Sequence, residues 1–261
     1  MPTVSGPSRD GTTTVPKTIQ ANTTPGALPR LHSGKLHTDG EITVLPGGGR
    51  VYTDPSVPCT TDTLLSASLL EVPPGSTVVD LGCGSGGGIF YASGVNPECR
   101  WIGIDVRLEA LKLLLVSVML NQTPSDISPV CCDVRRVPLA FRRECAQAVI
   151  ANPPYGKRGY GRESPDCHRK TARSGEDLLL HSFTRAASHL LVAEGSFMMV
   201  VPPRRFADAL LSCRAFGLSP ASVQPVGEPD CPAELTVIVS KKGSTSKLEI
   251  LPQTEPGKLL C

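Results

Sequence analysis

The sequence predicts a doubly wound α/β domain, with a mostly parallel sheet of seven strands and an antiparallel last strand. Strand-like and helix-like runs alternate from Thr77 onward, which is typical of a parallel sheet covered by helices on both faces. A glycine-rich turn directly follows the first of these strands. The last two strand-like runs leave no room for a helix between them, so we expect them to pair antiparallel at one edge.

The individual elements follow from the spacing of apolar residues. Short apolar or β-branched runs predict the strands, at residues 77–81, 100–105, 128–132, 146–151, 196–201, 222–226 and 235–240. Apolar residues at helical spacing predict helices, at residues 60–70, 108–121, 176–191 and 204–216.

The two ends of the chain differ from its middle. Residues 1–46 are rich in Thr, Pro, Gly and Ser and have few long apolar runs. Such a segment buries too little surface to offset the entropy of ordering it, so it is predicted to be a disordered tail. We expect one domain at 47–243, which suits a chain of 261 residues, and a second tail at 244–261.

Composition excludes several classes of protein. The chain has no apolar run of 18 residues and no secretory signal at its start, so we expect a cytoplasmic protein with no membrane contact. Its ten cysteines include no C-x-x-C pair, and its five histidines are scattered. This pattern predicts reduced thiols and no metal site.

Positive charge is concentrated in one stretch of the chain. The whole chain has a net charge of +2. Ten basic and three acidic residues lie between Arg135 and Arg173, so this stretch carries +7 and the rest of the chain −5. A basic patch on a nearly neutral protein predicts an anionic partner at one face.

The glycine-rich turn predicts a ligand at the end of the first strand. Gly82, Gly84 and Gly86 follow Asp80 within a few residues. Glycines at such a turn let the backbone bend tightly and approach a ligand closely. The spacing of Gly82, Gly84 and Gly87 also fits the G-x-G-x-x-G pattern of dinucleotide binding, so the glycines alone do not indicate which cofactor binds.

Three aspartates indicate which cofactor binds. Asp80, Asp105 and Asp133 stand at the ends of three consecutive predicted strands. Asp80 would repel a pyrophosphate but tolerate a cation. Asp105 is placed for two ribose hydroxyls, and Asp133 for an adenine amino group. The three predict S-adenosylmethionine, which carries a sulfonium and no phosphate. The neighbouring valines Val106 and Val134, together with Asn152, complete the predicted cofactor set.

This arrangement over residues 60–240 resembles the class I S-adenosylmethionine-dependent methyltransferases. The resemblance implies a Rossmann-like sheet of seven strands with an antiparallel last strand, which agrees with the elements above.

The tetrapeptide Asn152-Pro153-Pro154-Tyr155 follows the fourth strand. An exocyclic amine or a carboxamide delocalises its lone pair and is a poor nucleophile. The Asn152 side-chain oxygen and the Pro153 carbonyl can each accept one of its N–H bonds. Pro153 and Pro154 keep the chain extended, and Tyr155 can stack on the target. The tetrapeptide resembles the N-P-P-Y motif of methyltransferases that act on amino nitrogens.

The residues around the motif resemble the bacterial adenine-N6 methyltransferases of valine tRNA. That family has a basic glycine-containing loop after the motif and a T-D-x-x-L-L pattern before the glycine turn, where this chain has the shorter Thr61-Asp62-Thr63-Leu64-Leu65. The resemblance implies that Thr61 and Asp62 lie near the methionine part of the cofactor. It also implies RNA, and tRNA in particular, as the partner. The basic residues that would meet RNA phosphates are Lys157, Arg158, Arg162, Arg169, Lys170 and Arg173.

Other functions remain open at this stage. The N-P-P-Y motif also occurs in DNA adenine-N6 methyltransferases and in protein glutamine-N5 methyltransferases. The glutamine enzymes would require a helical N-terminal domain, which residues 1–46 do not predict. A cofactor-binding module without catalysis is a further alternative. The sequence does not indicate an oligomeric state.

Overall fold

A twisted sheet of eight strands forms the centre of the computed structural model. The structure describes residues 40–121, 126–155, 168–245 and 247–260, with backbone only at 168–177. The strands are β1 (Glu41–Val44), β2 (Arg50–Thr53), β3 (Thr77–Leu81), β4 (Arg100–Asp105), β5 (Asp126–Cys131), β6 (Ala146–Ala151), β7 (Leu191–Val201), β8 (Leu218–Val226), β9 (Leu235–Lys242) and β10 (Glu249–Ile250). The helices are α1 (Thr61–Leu65), α2 (Gly87–Val95), α3 (Leu108–Asn121), α4 (Val137–Ala140), α5 (His168–Leu190), α6 (Phe206–Ala215) and α7 (Pro256–Leu259).

The strand order in the main sheet is β10-β8-β9-β7-β6-β3-β4-β5. The pairs from β7 to β5 are all parallel, whereas β9 runs antiparallel to both β7 and β8. The predicted fold class is therefore confirmed, with the short strand β10 added parallel to β8. Strand order reverses between β3 and β6, and ligands of such sheets bind at the carboxyl ends of the strands beside this point.

Alternation along the strands builds two cores on opposite faces of the sheet. Val78 and Ile150 belong to the core under α1, α2 and α3. Their neighbours Val79 and Val149 belong to the core under α5 and α6. Because both faces are covered, the central strands are almost wholly apolar. The three layers agree with the doubly wound arrangement that the sequence predicts.

The structure corrects the predicted domain boundaries. Strands β1 and β2 form an antiparallel hairpin, and β1 lies inside the segment 1–46 that composition assigns to a tail. The hairpin is held by α3, since the Tyr52 backbone N–H donates to Ser117 Oγ at 2.9 Å. β10 and α7 likewise lie inside the predicted tail 244–261. Composition misses β10 and α7 because their partners are distant in sequence: β10 pairs with β8, and the Leu259 carbonyl of α7 accepts from Tyr91. Residues 1–39 lie outside the described residues.

Several element limits also differ from the prediction. Helix α1 ends at Leu65, before the predicted end at residue 70. β7 begins at Leu191 because the first half of this strand pairs with Ala146 ahead of an irregularity in the register. In the described part of the chain, no helix is both long and apolar enough to cross a bilayer. The same residues contain no cluster of three or more His, Cys, Asp or Glu side chains suited to a metal ion.

Candidate active site

The glycine turn after β3 is held by the neighbouring strand. The backbone N–H groups of Gly82 and Cys83 both donate to the Ile104 carbonyl oxygen, at 2.7 and 3.0 Å. Gly82, Gly84 and Gly86 all have positive φ, a conformation that costs other residues free energy. A Cβ at Gly86 would lie 2.5 Å from Leu114 Cδ1. Glycine is therefore required here for both backbone and packing reasons.

Asp80 is buried beneath this turn, with only 3% of its surface exposed. A Cβ at Gly88, in the first turn of α2, would lie 3.3 Å from Asp80 Oδ2, so the carboxylate faces this helix closely. Among the residues that the structure describes, none donates a hydrogen bond to the Asp80 carboxylate. Burial, and secondarily the charge of Asp105, raises the pKa of Asp80 to about 8. The site thus holds a carboxyl group that a cation would stabilise in its ionised form.

Asp105, at the end of β4, is held from two sides. Its Oδ2 accepts the Gly84 backbone N–H at 3.0 Å, and its Oδ1 accepts the Arg107 backbone N–H at 2.8 Å. The Arg107 guanidinium lies 3.4 Å from the same carboxylate and donates to the Ser56 carbonyl at 3.2 Å. Arg107 therefore links the carboxylate to the segment that follows the hairpin.

Asp133 follows β5 at the third strand end, as predicted, but its carboxylate already has partners. Its Oδ1 accepts the Arg135 backbone N–H at 2.9 Å and caps the short 3-10 turn Val134–Arg136. It also forms an ion pair with the Arg135 guanidinium. This hydrogen-bonded pair lowers the pKa of Asp133. Recognition of an adenine amino group by Asp133 stays a prediction. Val106 is exposed and Val134 half-buried beside these acids.

Helix α1 brings Thr61 and Asp62 to the same end of the sheet. The chain packs on the start of α2, where a Cβ at Gly87 would lie 2.6 Å from Cys59 Sγ and 3.1 Å from Thr63 Cγ2. Thr61 is exposed and Asp62 half-buried. Both predicted residues therefore lie at the edge that contains the glycine turn.

The N-P-P-Y motif lies beside the glycine turn. Ala151 pairs with Leu81 across β6 and β3, so Asn152 stands next to Gly82. Asn152 is half-buried, and no residue within the described ranges hydrogen-bonds its side-chain amide. The register thus brings the predicted acceptor Asn152 next to the glycine turn at the carboxyl edge of the sheet.

Tyr155 is more firmly fixed than the sequence suggests. Its hydroxyl donates to the Val200 carbonyl oxygen of β7 at 3.0 Å, and its half-buried ring packs against the core under α5. Burial raises the pKa of this hydroxyl well above its usual range, so it remains a donor. Pro153 is buried and Pro154 exposed. Stacking of Tyr155 on a target base stays a prediction.

The structure describes only some of the predicted RNA-binding residues. Lys157, Arg158 and Arg162 lie outside the described residues. Arg169, Lys170 and Arg173 lie on helix α5, where the backbone alone is described.

The described arginines of the basic stretch separate into two pairs. Arg135 and Arg136 follow the carboxyl end of β5. Arg142 and Arg143 precede Glu144, whose N–H donates to His189 O near the end of α5, and so they lie at the amino end of β6. The single cluster that the sequence suggests is therefore divided between the carboxyl ends and the amino ends of the strands.

Two groups of residues near the carboxyl edge of the sheet were not identified from the sequence. Leu260 is buried in the same core as Leu64 and Leu65 of α1, and the Tyr91 hydroxyl donates to the Leu259 carbonyl at 3.2 Å. Arg204 and Arg205 follow β7 directly after a second proline pair. The repetition of a Pro-Pro pair at a strand end is the signal that identifies these arginines.

No family model matches the chain, but individual relatives do. It is 25% identical over 144 residues to a protein of Bacteroides fragilis described as tRNA1(Val) (adenine(37)-N6)-methyltransferase. A protein of Vibrio parahaemolyticus with the same description is 24% identical over 177 residues, which cover 66% of this chain and 69% of the relative. The chain spans 59% of the length of the Bacteroides relative, and the match covers 54% of this chain. The resemblance that the sequence predicts is confirmed at this level of identity.

Solved structures show the same fold. A predicted O-methyltransferase from Agrobacterium tumefaciens matches with a TM-score of 0.59 at 21% identity, covering 72% of this chain and 84% of that protein. TrmN from Thermus thermophilus matches with a TM-score of 0.52 at 23% identity, covering 69% of this chain and 47% of that protein. The fold is that of the class I methyltransferases.

Proposed function

We propose that this chain is an S-adenosylmethionine-dependent N-methyltransferase that methylates adenine N6 in tRNA. The observation that carries the proposal is the register of β3 against β6. It sets Asn152, with a side-chain amide suited to an amino group, beside the turn above the buried Asp80. An acceptor for the amine and a site for a cation then lie on either side of Gly82.

The residues present fit this cofactor. Asp80 and Asp105 are both buried and would repel a pyrophosphate, whereas the sulfonium and amino group of S-adenosylmethionine are cations. The positive-φ glycines leave the backbone open to close approach. Asp105 is oriented by two backbone N–H groups, which suits recognition of a ribose. S-adenosylmethionine supplies a methyl group already activated by its sulfonium.

The chain's own residues then have to align the target nitrogen. The Asn152 side-chain oxygen and the Pro153 carbonyl accept the two N–H bonds of the amine and hold it in place. Orientation of this kind can supply roughly 7–11 kcal/mol of the barrier. The amine becomes acidic once methylated, so no strong general base is required. Tyr155, anchored to Val200, offers a fixed ring beside the target.

The choice of tRNA is supported by the relatives and by charge. The relatives from Bacteroides and Vibrio are described as acting on adenine of a valine tRNA. Within the +7 stretch, Arg135 and Arg136 are exposed after the carboxyl end of β5, at the edge that holds the site, and suit a phosphate backbone. An adenine in an anticodon loop can be presented unstacked, which lowers the cost of reaching it. A tRNA substrate also agrees with a cytoplasmic location, which we propose with it.

Transfer of a labelled methyl group tests the proposal. The protein is incubated with labelled S-adenosylmethionine and separate pools of tRNA, ribosomal RNA, DNA and protein, with the Asn152→Ala variant as background. We expect label in tRNA, recovered as N6-methyladenosine after digestion to nucleosides and mass spectrometry. Label in protein or DNA alone would overturn the substrate. Cofactor binding without label in any pool would overturn the activity.

A further inference from the structure

The strand beside the acceptor motif ends in a second proline pair. β7 runs parallel to β6, with Met199 opposite Ala151. Pro202 and Pro203 therefore leave the sheet at the same edge as the Pro153-Pro154 pair. The first proline pair is followed by an aromatic residue, and the second by two arginines.

Direct contacts connect the two strand ends. The Tyr155 hydroxyl donates to the Val200 carbonyl at 3.0 Å, only two residues before Pro202. Burial raises the pKa of this hydroxyl, and the positive charges of Arg205 and then Arg204 oppose the rise. Both guanidinium groups therefore lie within electrostatic range of Tyr155, on the acceptor side of the site.

The two arginines differ in their exposure. Arg205 is 4% exposed, and its Nη1 lies 3.2 Å from Asp208 Oδ2 in the next turn. Its charge is thus balanced inside the protein. Arg204 is exposed at the edge of the sheet. It is the arginine of the pair that an incoming substrate would meet.

We propose that Arg204 binds a backbone phosphate next to the target base. This inference rests on the proposed function and deepens it, because it names the chemical class that the acceptor site selects. A guanidinium matches the geometry of a phosphate and can bind it through two hydrogen bonds. A nucleotide within a chain carries such a phosphate on each side of its base, whereas a glutamine in a protein carries none.

A matched pair of variants tests Arg204. Arg204→Ala removes the proposed contact. Arg214→Ala removes an exposed arginine in the last turn of α6, the helix that follows the 3-10 turn Pro203–Arg205 in which Arg204 lies. The probe is a single-stranded, adenine-containing oligoribonucleotide, bound at several salt concentrations. We expect Arg204→Ala to weaken binding about tenfold and to reduce the salt slope by about one. S-adenosylmethionine affinity should not change, and Arg214→Ala should behave as the wild type.

The outcomes separate this inference from the proposed function. Arg204→Lys keeps the charge but not the planar fork, so it should restore the salt slope without the full affinity. Equal affinity and equal salt slope for the wild type and Arg204→Ala would overturn the phosphate contact, even if tRNA is methylated. Equal losses in the Arg204 and Arg214 variants would also overturn it. Methylation of protein alone by the wild type would overturn the proposed substrate instead.

Discussion

The carboxyl edge of the sheet has a cofactor half, with Asp80, Asp105 and the glycine turn, and an acceptor half, with Asn152 and Tyr155. The two halves hold their polar groups in different ways. In the cofactor half, backbone N–H groups fix the Asp105 carboxylate at 3.0 and 2.8 Å. In the acceptor half, Tyr155 has one hydrogen bond of 3.0 Å, and the Asn152 amide has none from the described part of the chain. The difference agrees with a proposed cofactor half that is organised before a ligand arrives and a proposed acceptor half that keeps its hydrogen-bonding capacity for the substrate.

The largest effect should come from the acceptor half. Asn152→Ala removes the proposed acceptor of the target N–H, so methyl transfer should fall about 10²–10³-fold, as when one positioned hydrogen-bonding group is lost. The S-adenosylmethionine dissociation constant should change less than about threefold, because the cofactor half is held by its own backbone. Initial rates and calorimetric titration measure the two effects. A variant that transfers methyl groups at the wild-type rate would contradict the assigned role.

Asp80 is the exception within the cofactor half, because no described residue pairs with it. Asp80→Asn keeps the shape and removes the charge. Affinity for S-adenosylmethionine should fall about 10–100-fold, the loss expected for a charge-assisted contact. The melting temperature of the protein without ligand should rise, since a buried ionisable group is removed.

Asp126→Asn provides the matched control for Asp80. Asp126 lies on β5 in an ion pair with Arg100, and both side chains are 63% exposed. Exposed pairs contribute little, so neither affinity nor melting temperature should move. Loss of affinity in both variants would show that Asp80 acts through general charge and not as a specific partner of the cofactor.

A smaller effect tests whether the C-terminal segment supports the cofactor half. Leu260 is 8% exposed and packs in the core shared with α1, whereas Leu248 of the same segment is 41% exposed. Leu260→Ala should lower the free energy of unfolding by about 2 kcal/mol, and Leu248→Ala should leave it nearly unchanged. Urea denaturation measures both. Equal, small effects would mean that the segment behaves as the tail that composition predicts.

The features that the sequence predicts are those that depend on neighbouring residues. The glycine turn after β3, the aspartates at three strand ends and the N-P-P-Y motif each depend on a few consecutive residues, and the structure gathers them at one edge. The C-terminal segment instead depends on partners far along the chain: the Tyr91–Leu259 hydrogen bond joins residues 168 positions apart. Amino-acid composition does not predict such a contact.

The basic stretch shows the converse, because residues that are close in sequence are separated in the fold. Arg135 and Arg143 are close in sequence, but the chain between them runs from the carboxyl end of β5 to the amino end of β6. Proximity in sequence therefore suggests a cluster that the fold divides. The arginines after β7 instead lie within electrostatic range of Tyr155, although they are about fifty residues away along the chain.

The raised pKa of Asp80 in the cofactor half makes the stability of the protein without ligand depend on pH. The pKa of Asp80 is about 8, raised by burial and then by Asp105. The folded protein without ligand therefore keeps a proton that the unfolded chain releases. Its free energy of unfolding should fall as pH rises from about 4 to about 8 and then stay level with respect to this group. Thermal unfolding across this range measures the effect, and Asp80→Asn should abolish it.

Binding should show the opposite trend, because a cation next to Asp80 favours the ionised carboxylate. Affinity for S-adenosylmethionine should rise about tenfold per pH unit below pH 8. If the sulfonium is the partner, the affinity levels off above that pH. If the amino group is the partner, affinity declines again, since α-amino groups lose their proton near pH 8 (about 7.7–8.0). S-adenosylhomocysteine, which has the amino group but no sulfonium, separates the two cases in the same titration. An affinity that is independent of pH for both ligands would show that neither cation lies beside Asp80.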